Sequence, residues 1–429
     1  MRHRFAPIAC VLLASAAGAQ GLVPGRILVG CRDVHSIVEL DAAGAAVDEF
    51  ALEDGAGSDV FDVGPDGRLY VANGTANVVA VHVAGGQKVG EIGAGSTLSG
   101  PGGLAFGPSG NLYVSSNLTG RVLEFRTNGA FVREIGAGAG LSFPRGITFG
   151  PNGHLYVLSF GGDRVVEFDA NGAKVRELGV GSSMHGPYAA AFGPDGHLYV
   201  TSLATNRVVV LSLEGPNGAE LPAIGAGTGL TSPSGLAWGP DGHLYVASFS
   251  SDELYEFDGA GALVHAHPIV TALGPAPSLP IGVSIVPWRF KARITGTIAR
   301  GGEKPSPIKD KGSVVSFVPG SRRVLLSFQD DPANAQDMAS AISVAGTSGM
   351  SLSGIESLES AAATKRWWLG TEIHRDVSPD DGVAALALRV AGKKGPDGTF
   401  VPTSATGALH RAAGGVVVDA KISTAGLVK

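Results

Sequence analysis

A nine-residue pattern, FGPDGHLYV at 192–200, recurs as VGPDGRLYV at 63–71, FGPSGNLYV at 106–114, FGPNGHLYV at 149–157 and WGPDGHLYV at 238–246. Its first glycines, Gly64, Gly107, Gly150, Gly193 and Gly239, stand 43, 43, 43 and 46 residues apart. A period of roughly 20 to 50 residues means stacked units that cannot bury their faces alone. In the unit beginning at Gly146, GITF predicts a short inner strand and Pro151-Asn152-Gly153 a tight turn, with Pro setting φ and Gly taking the left-handed position. Residues 154–159 read as a second strand, 164–169 (RVVEFD) as a third, Asn171-Gly172 as a reversal and 174–178 as an outer strand. Four antiparallel strands per unit make one blade of a β-propeller.

The two ends of the repeat region complement each other. RILVGCRDVHSIVELDAAGAAV at 26–47 aligns with HLYVASFSSDELYEFDGAGALV at 243–264 but lacks a clear inner strand before it. PIGVSIVP at 280–287 has the character of an inner strand with nothing after it. Joined, they form a sixth blade and remove the open edges that invite aggregation. The expectation is an all-β chain with a six-bladed β-propeller and a strand-complemented closing blade. With 65 Gly, 25 Pro and only 16% charged residues, the composition favours tight turns between short strands over helices.

The pattern P-x-G-[IL]-x-F-G-P-x-G-x-L-Y-V-x-S, followed by R-V-x-E-F-D and x-N-G, resembles the NHL repeat over roughly residues 22–288. More loosely it is similar to the propellers of streptogramin lyase and gluconolactonase. The resemblance implies a propeller fold but no single function, since such propellers include enzymes, protein binders and nucleic-acid binders. One departure is systematic: where NHL repeats commonly carry Asp after the second strand, this chain has Asn73, Ser116, Ser159, Ser202 and Ser248.

The flanks read differently. Arg2 and Arg4, an apolar stretch at 8–17 and Ala17-Gly18-Ala19 make residues 1–19 a signal peptide with the mature chain beginning at Gln20. That implies export to the periplasm or beyond. No segment reaches the ~20 apolar residues of a membrane span. Cys10 leaves with the leader, so Cys31 has no disulfide partner in the chain. The net charge of −6 becomes about −8 without Arg2 and Arg4, which excludes a basic field for nucleic acid. With the propeller spanning 20–288, residues 289–429 lose the period. Runs such as KARITGTIA at 291–299 and GVAALALRV at 382–390 predict a smaller, separable β-sandwich-like module, with a short helix after Asp331-Pro332.

Binding on a propeller uses loops at one end of the ring. Five residues before each G-P glycine, and in register in the last blade, lie Asp59, Gly102, Arg145, Tyr188, Ser234 and Ile281, which do not repeat although their surroundings do. Asp59, Arg145 and Tyr188, with His185 in the adjoining loop SSMHGPY, are the candidate ligand-binding residues at the pore mouth. A solvated loop histidine beside a packing tyrosine accounts for the same pair, since no carboxylate partner for His185 is visible in the sequence. Arg121, Arg164 and Arg207 open successive third strands, with Asn77 and Glu253 read in register, and form a secondary candidate set. Pairing of Asp163 with Arg164 is the local alternative.

His154, His197 and His243 share the context GHLYV but fall on successive blades, too far apart for bonds of ~2 Å to one metal. Neither a metal, a cofactor nor a catalytic residue is assigned. The functional expectation is an exported, non-catalytic propeller that presents one loop face to a protein, glycan or small-molecule ligand. A metal-assisted lyase or lactonase needs acidic inner strands, and these read GLAFG, GITFG, AAAFG and GLAWG, with Asp59 and Asp62 alone coming close. A structural cell-surface component is the third reading.

Overall fold

The computed structural model describes residues 22–41, 43–53, 60–107, 110–150, 152–239, 241–269, 271 and 279–300, then 304–307, 314–317, 324–327, 351–361, 366–374, 383–394, 400–413 and 416–427. The expected leader lies outside the described residues. Blades one to five, at 61–92, 101–135, 144–178, 187–224 and 233–268, are four-stranded antiparallel sheets whose strands pair in chain order. In blade six Pro280–Ile285 pairs with Ile27–Cys31, with Val29 opposite Val283, and Ser36–Leu40 and Ala46–Ala51 complete the sheet. The propeller and its closure are as the repeat predicts.

The shared nonapeptide has a physical account. In blade one Gly67 N–H donates to Gly64 O at 2.8 Å, closing the turn with Gly67 at φ 81°. Asp66 Oδ1 accepts the Arg68 N–H at 3.1 Å, and Tyr70 OH donates to Asp66 Oδ2 at 3.0 Å. The tyrosine ring lies close against Gly64, where any Cβ would stand 2.5 Å from its Cε2. Each ring then meets the aromatic side chain of the next inner strand edge-on: Tyr70 with Phe106 at 4.8 Å, Tyr113 with Phe149 at 4.8 Å, Tyr156 with Phe192 at 5.0 Å and Tyr199 with Trp238 at 5.0 Å. One residue therefore fixes the turn of its own blade and the packing of the next.

The serines after the second strands also do structural work. Ser116, Ser159, Ser202 and Ser248 Oγ accept the N–H of Ser99, Ser142, His185 and Thr231 at 2.8 to 3.0 Å, tying each interblade loop to the strand. Cys31 holds the corresponding place in blade six, fully buried, and burial followed by the Glu49 charge pushes its thiol up to about 12. It is an inert core thiol at ordinary pH.

In blades two, three and five the third strand buries a glutamate. Glu167 accepts from Tyr156 OH at 2.8 Å, Asn152 Nδ2 at 3.0 Å and Arg176 Nε at 2.6 Å, and lies 2.7 Å from His154 Nδ1. Burial raises its carboxyl, but the bonds from His154, Arg176 and Tyr156 outweigh burial and carry it from 4.5 to about 2. Depression of this kind stabilises the fold above the unfolded value and is lost as pH falls toward the folded one.

Beyond the ring, the described strands pair in one antiparallel sheet. Its order is Val324–Ser327, Val314–Phe317, Trp288–Arg300, Val416–Leu427, Phe400–Ala413, Val383–Lys394, Arg366–His374, Ser351–Ala361, with Ser306–Pro307 also on Trp288–Arg300. No second sheet faces it among the described residues, and the helix expected after Asp331-Pro332 lies outside them. The junction is not a loose linker. Trp288 and Phe290 are buried, the Trp288 ring lies over Gly25, and Arg289 Nε donates to Pro65 O at 2.9 Å. Among the described residues no helix is long and apolar enough to cross a membrane.

Two outcomes follow from closure and from Glu167. Ile285→Ala, in the closing strand, lowers unfolding stability in urea by about 2–5 kcal/mol; a loss below about 0.5 kcal/mol would mean that this strand does not hold the ring. Glu167→Gln destabilises at pH 6, and the gap to the unmodified chain shrinks by about 3 kcal/mol as pH falls from about 4.5 to about 2. A gap indifferent to pH would assign the effect to packing.

Candidate ligand-binding site

Inner strands begin at the end of the ring where the interblade loops enter. Glycines on them let neighbouring backbones close in: a Cβ on Gly146 would stand 2.6 Å from Tyr188 O and one on Gly102 2.9 Å from Pro144 O. Of the non-repeating positions, Ser234 and Ile281 are absorbed by this packing. Both are almost fully buried, and Ser234 Oγ donates to Pro280 O at 3.1 Å. Asp59 lies outside the described residues.

Arg145 and Tyr188 are brought together. The guanidinium carbon of Arg145 stands 5.0 Å from the centre of the Tyr188 ring and 5.4 Å from that of Phe160, and Nη1 donates to Tyr188 OH at 3.4 Å. Arg145 Nε is buried without a hydrogen-bond partner, and no carboxylate pairs with this guanidinium among the described residues. Two aromatic rings stabilise the cation by roughly 0.5–2 kcal/mol each without neutralising it. Phe160, at the head of the short 3-10 turn Phe160–Gly162, was not among the sequence candidates. Its signal was faint: blade two carries Asn117 and blade four Leu203 at the same place.

His185 does not join them. Its Nδ1 lies 3.1 Å from Asp163 Oδ2, while Asp163 Oδ1 accepts the Gly186 N–H at 2.8 Å. The reading that His185 has no carboxylate partner is thus corrected, and so is the local pairing of Asp163 with Arg164, whose Nε stands 3.1 Å from Glu177 Oε1. The reason is conformational. Asp163 takes a left-handed conformation, φ 47°, that turns its side chain away from its own strand toward the next blade's loop. Burial raises the Asp163 carboxyl, but the Gly186 N–H and His185 outweigh it and hold the group below its ordinary value. With side chains 59% and 46% exposed, the pair is a rim contact of little energy.

The same clasp recurs. Asn77 Oδ1 accepts from Gly100 N–H at 2.7 Å, Asn206 Oδ1 from Ser232 at 2.8 Å and Asp252 Oδ1 from Leu279 at 2.8 Å. This corrects a register read in the sequence: Val78, not Asn77, is the counterpart of Arg121, since Val78 pairs with Asn73 as Arg121 pairs with Ser116. Nor do the secondary candidates form an arc of open cations. Arg121 is bonded to Glu134, Arg164 to Glu177 and to Gly140 O, and Arg207 Nε donates to Thr205 O at 3.2 Å.

Exposed apolar groups also stand on loops at this end of the ring. Phe143 is 53% and Leu118 69% exposed. Phe143 occupies the left-handed position, φ 47°, that Gly100 and Gly186 fill in neighbouring blades, a conformation costing roughly 1–3 kcal/mol for such a residue. Neither strain nor exposure serves the fold.

No family model matches the chain, and no curated protein matches it in sequence. Among solved structures, a protein of unknown function from Bacteroides caccae is similar at 18% identity and a TM-score of 0.50, covering 62% of this chain and 99% of its own. Streptogramin B lyase aligns at 16% identity with a TM-score of 0.48, over 71% of this chain and 90% of its own. A chain of the nidogen/laminin complex aligns at 17% identity and 0.49, over 61% and 98%. The likeness is one of fold. It leaves the chemistry to be argued from Arg145 and its surroundings.

In that setting Phe143→Gly relieves strain and leaves stability unchanged or up to about 1 kcal/mol higher in urea unfolding. Destabilisation beyond about 1 kcal/mol would show that the ring holds the fold and is not a surface group.

Proposed function

We propose that this chain is an exported, non-catalytic binding propeller of the NHL-repeat kind, with residues 20–288 as the binding domain. Its Arg145 end captures a partner protein or peptide through a carboxylate. The observation that carries the reading is the state of Arg145. Arg121, Arg133, Arg164 and Arg176 each have a carboxylate, whereas Arg145 has two aromatic rings and a buried, unpartnered Nε. Such a fork accepts a carboxylate in a bidentate manner. Phe143 and Leu118 supply the exposed apolar surface that, with arginine and aromatic anchors, characterises the centre of protein interfaces.

Elimination or lactone opening finds less support. Asp62 is the one carboxylate on the described inner strands, and it accepts from Ser284 Oγ at 3.2 Å. His185 and Asp163 stand on the rim as a pair without a nucleophile attached among the described residues.

An array of acidic, neutral and C-terminally amidated peptides tests the proposal. Peptides with a free carboxylate are retained, and Arg145→Ala weakens their binding about tenfold or more, as expected for a hydrogen bond to a charged group. His197→Ala, at the opposite end of the ring, leaves binding unchanged. Equal losses from the two, or a larger one from His197→Ala, would place the site elsewhere.

A further inference from the structure

At the end of the ring opposite Arg145, three positions meet in each blade: the residue after the turn, a third-strand residue and an outer-strand residue. Blade two brings Asn111 and Arg133 onto Glu124, and blade three His154 and Arg176 onto Glu167. In both, an arginine neutralises the buried glutamate. Blade four keeps the turn pair, with His197 Nδ1 2.9 Å from Asp195 Oδ2, but has Val210 in place of the glutamate.

Blade five differs from all of these. Glu256 is buried, with His243 Nδ1 2.6 Å from Oε1 and His267 Nε2 2.8 Å from Oε2. No arginine or lysine pairs with it among the described residues. Asp241 Oδ2 stands 3.7 Å from the same His243 nitrogen, and donor atoms of Asp241, His243 and Glu256 all lie within 4.8 Å of one another. Tyr245 OH donates to Asp241 Oδ2 at 2.6 Å and holds that carboxylate in place. The His267 ring is fixed from the other side by blade six: Gly44, at φ 75°, has no Cβ where one would overlap the imidazole.

We propose that Asp241, His243 and Glu256, with His267 holding the other oxygen of Glu256, form a binding site for one divalent transition-metal ion of the zinc type. One imidazole nitrogen and two carboxylates, with water completing the shell, suit zinc, nickel or copper better than calcium or magnesium, which take oxygen alone. Tetrahedral bonds of about 2.0–2.2 Å require donors about 3.3–3.5 Å apart. The donors of Asp241, His243 and Glu256, all within 4.8 Å of one another, reach that spacing by small rotations, with the ring hydrogen of His243 facing Glu256 moving to the opposite nitrogen. Each single group recurs in other blades as scaffold; the four together, without the arginine, do not. This proposal is independent of ligand binding at Arg145.

The experiment is zinc titration of the metal-free full chain by calorimetry, with thermal unfolding measured alongside. One zinc equivalent binds and raises the unfolding temperature, because the ion binds the native state alone. His267→Arg recreates the glutamate–arginine pair of blades two and three, so it keeps the fold while weakening that equivalent at least tenfold; His243→Ala weakens it likewise. His197→Ala leaves it unchanged. No zinc uptake by the unmodified chain, full affinity in His267→Arg, or an equal loss in His197→Ala would each overturn the site.

Discussion

Pairing of Pro280–Ile285 with Ile27–Cys31 is the contact on which the rest of the molecule depends. Each blade buries its faces against two neighbours, and the edge-on contact from one tyrosine to the next inner-strand ring makes the packing sequential. A sequential stack has two raw ends. Tyr245 of blade five has no edge-on aromatic partner among the described residues but packs with Ile285 and Ile27 of blade six in one core cluster, so the two ends of the repeat region must meet for the fifth blade to be covered at all. The mouth inherits that dependence: Arg145 and Phe160 belong to blade three, Tyr188 to blade four, and their spacing is set by the closed ring.

What the sequence made legible was whatever repeats. Turns, strand order, blade count and closure follow from a pattern whose physical cause, a tyrosine lying on a glycine, is local to nine residues. The misreadings arose where the cause is not local. The register of Asn77 is one place off in the sequence because the third-strand arginine marks the strand start in blades two to four, and blade one has Val78 there. Asp163 was assigned to its sequence neighbour, although a positive φ sends its side chain to the following blade. Phe160 gives only a faint signal because its importance lies in a contact with Arg145, fifteen positions away on the inner strand. The single sheet beyond the ring pairs strands as distant as Trp288–Arg300 and Val416–Leu427, which alternation alone does not order.

Charge follows a similar logic. Buried carboxylates are tolerable when hydrogen-bonded and paired, and blades two and three meet that demand from their own outer strands with Arg133 and Arg176. Such internal pairing leaves nothing for a ligand. Departures stand out against it in both signs: among the described residues Arg145 is a cation without a carboxylate, and Glu256 an anion without an arginine or lysine. Burial raises the Glu256 carboxyl, but the bonds from His267 and His243 carry it below the ordinary value.

The two ends of the ring also differ in how much variation they tolerate. At the turn end, the tyrosine, the turn aspartate or asparagine and the buried glutamate are bonded to each other through side chains, so changing one disturbs the others. At the mouth, the clasps run to backbone N–H groups of the next loop, which every residue but proline possesses. A loop held by its backbone leaves its side chains unconstrained. That is why Gly100, Gly186, Ser232 and Leu279 can occupy one equivalent clasped position. Phe143, for which blade two offers Gly120 and no such clasp among the described residues, shares only their left-handed φ. The fold therefore leaves the side chains of the mouth open to variation, and a strained, exposed Phe143 two residues from Arg145, which has no carboxylate partner among the described residues, is the variation found here.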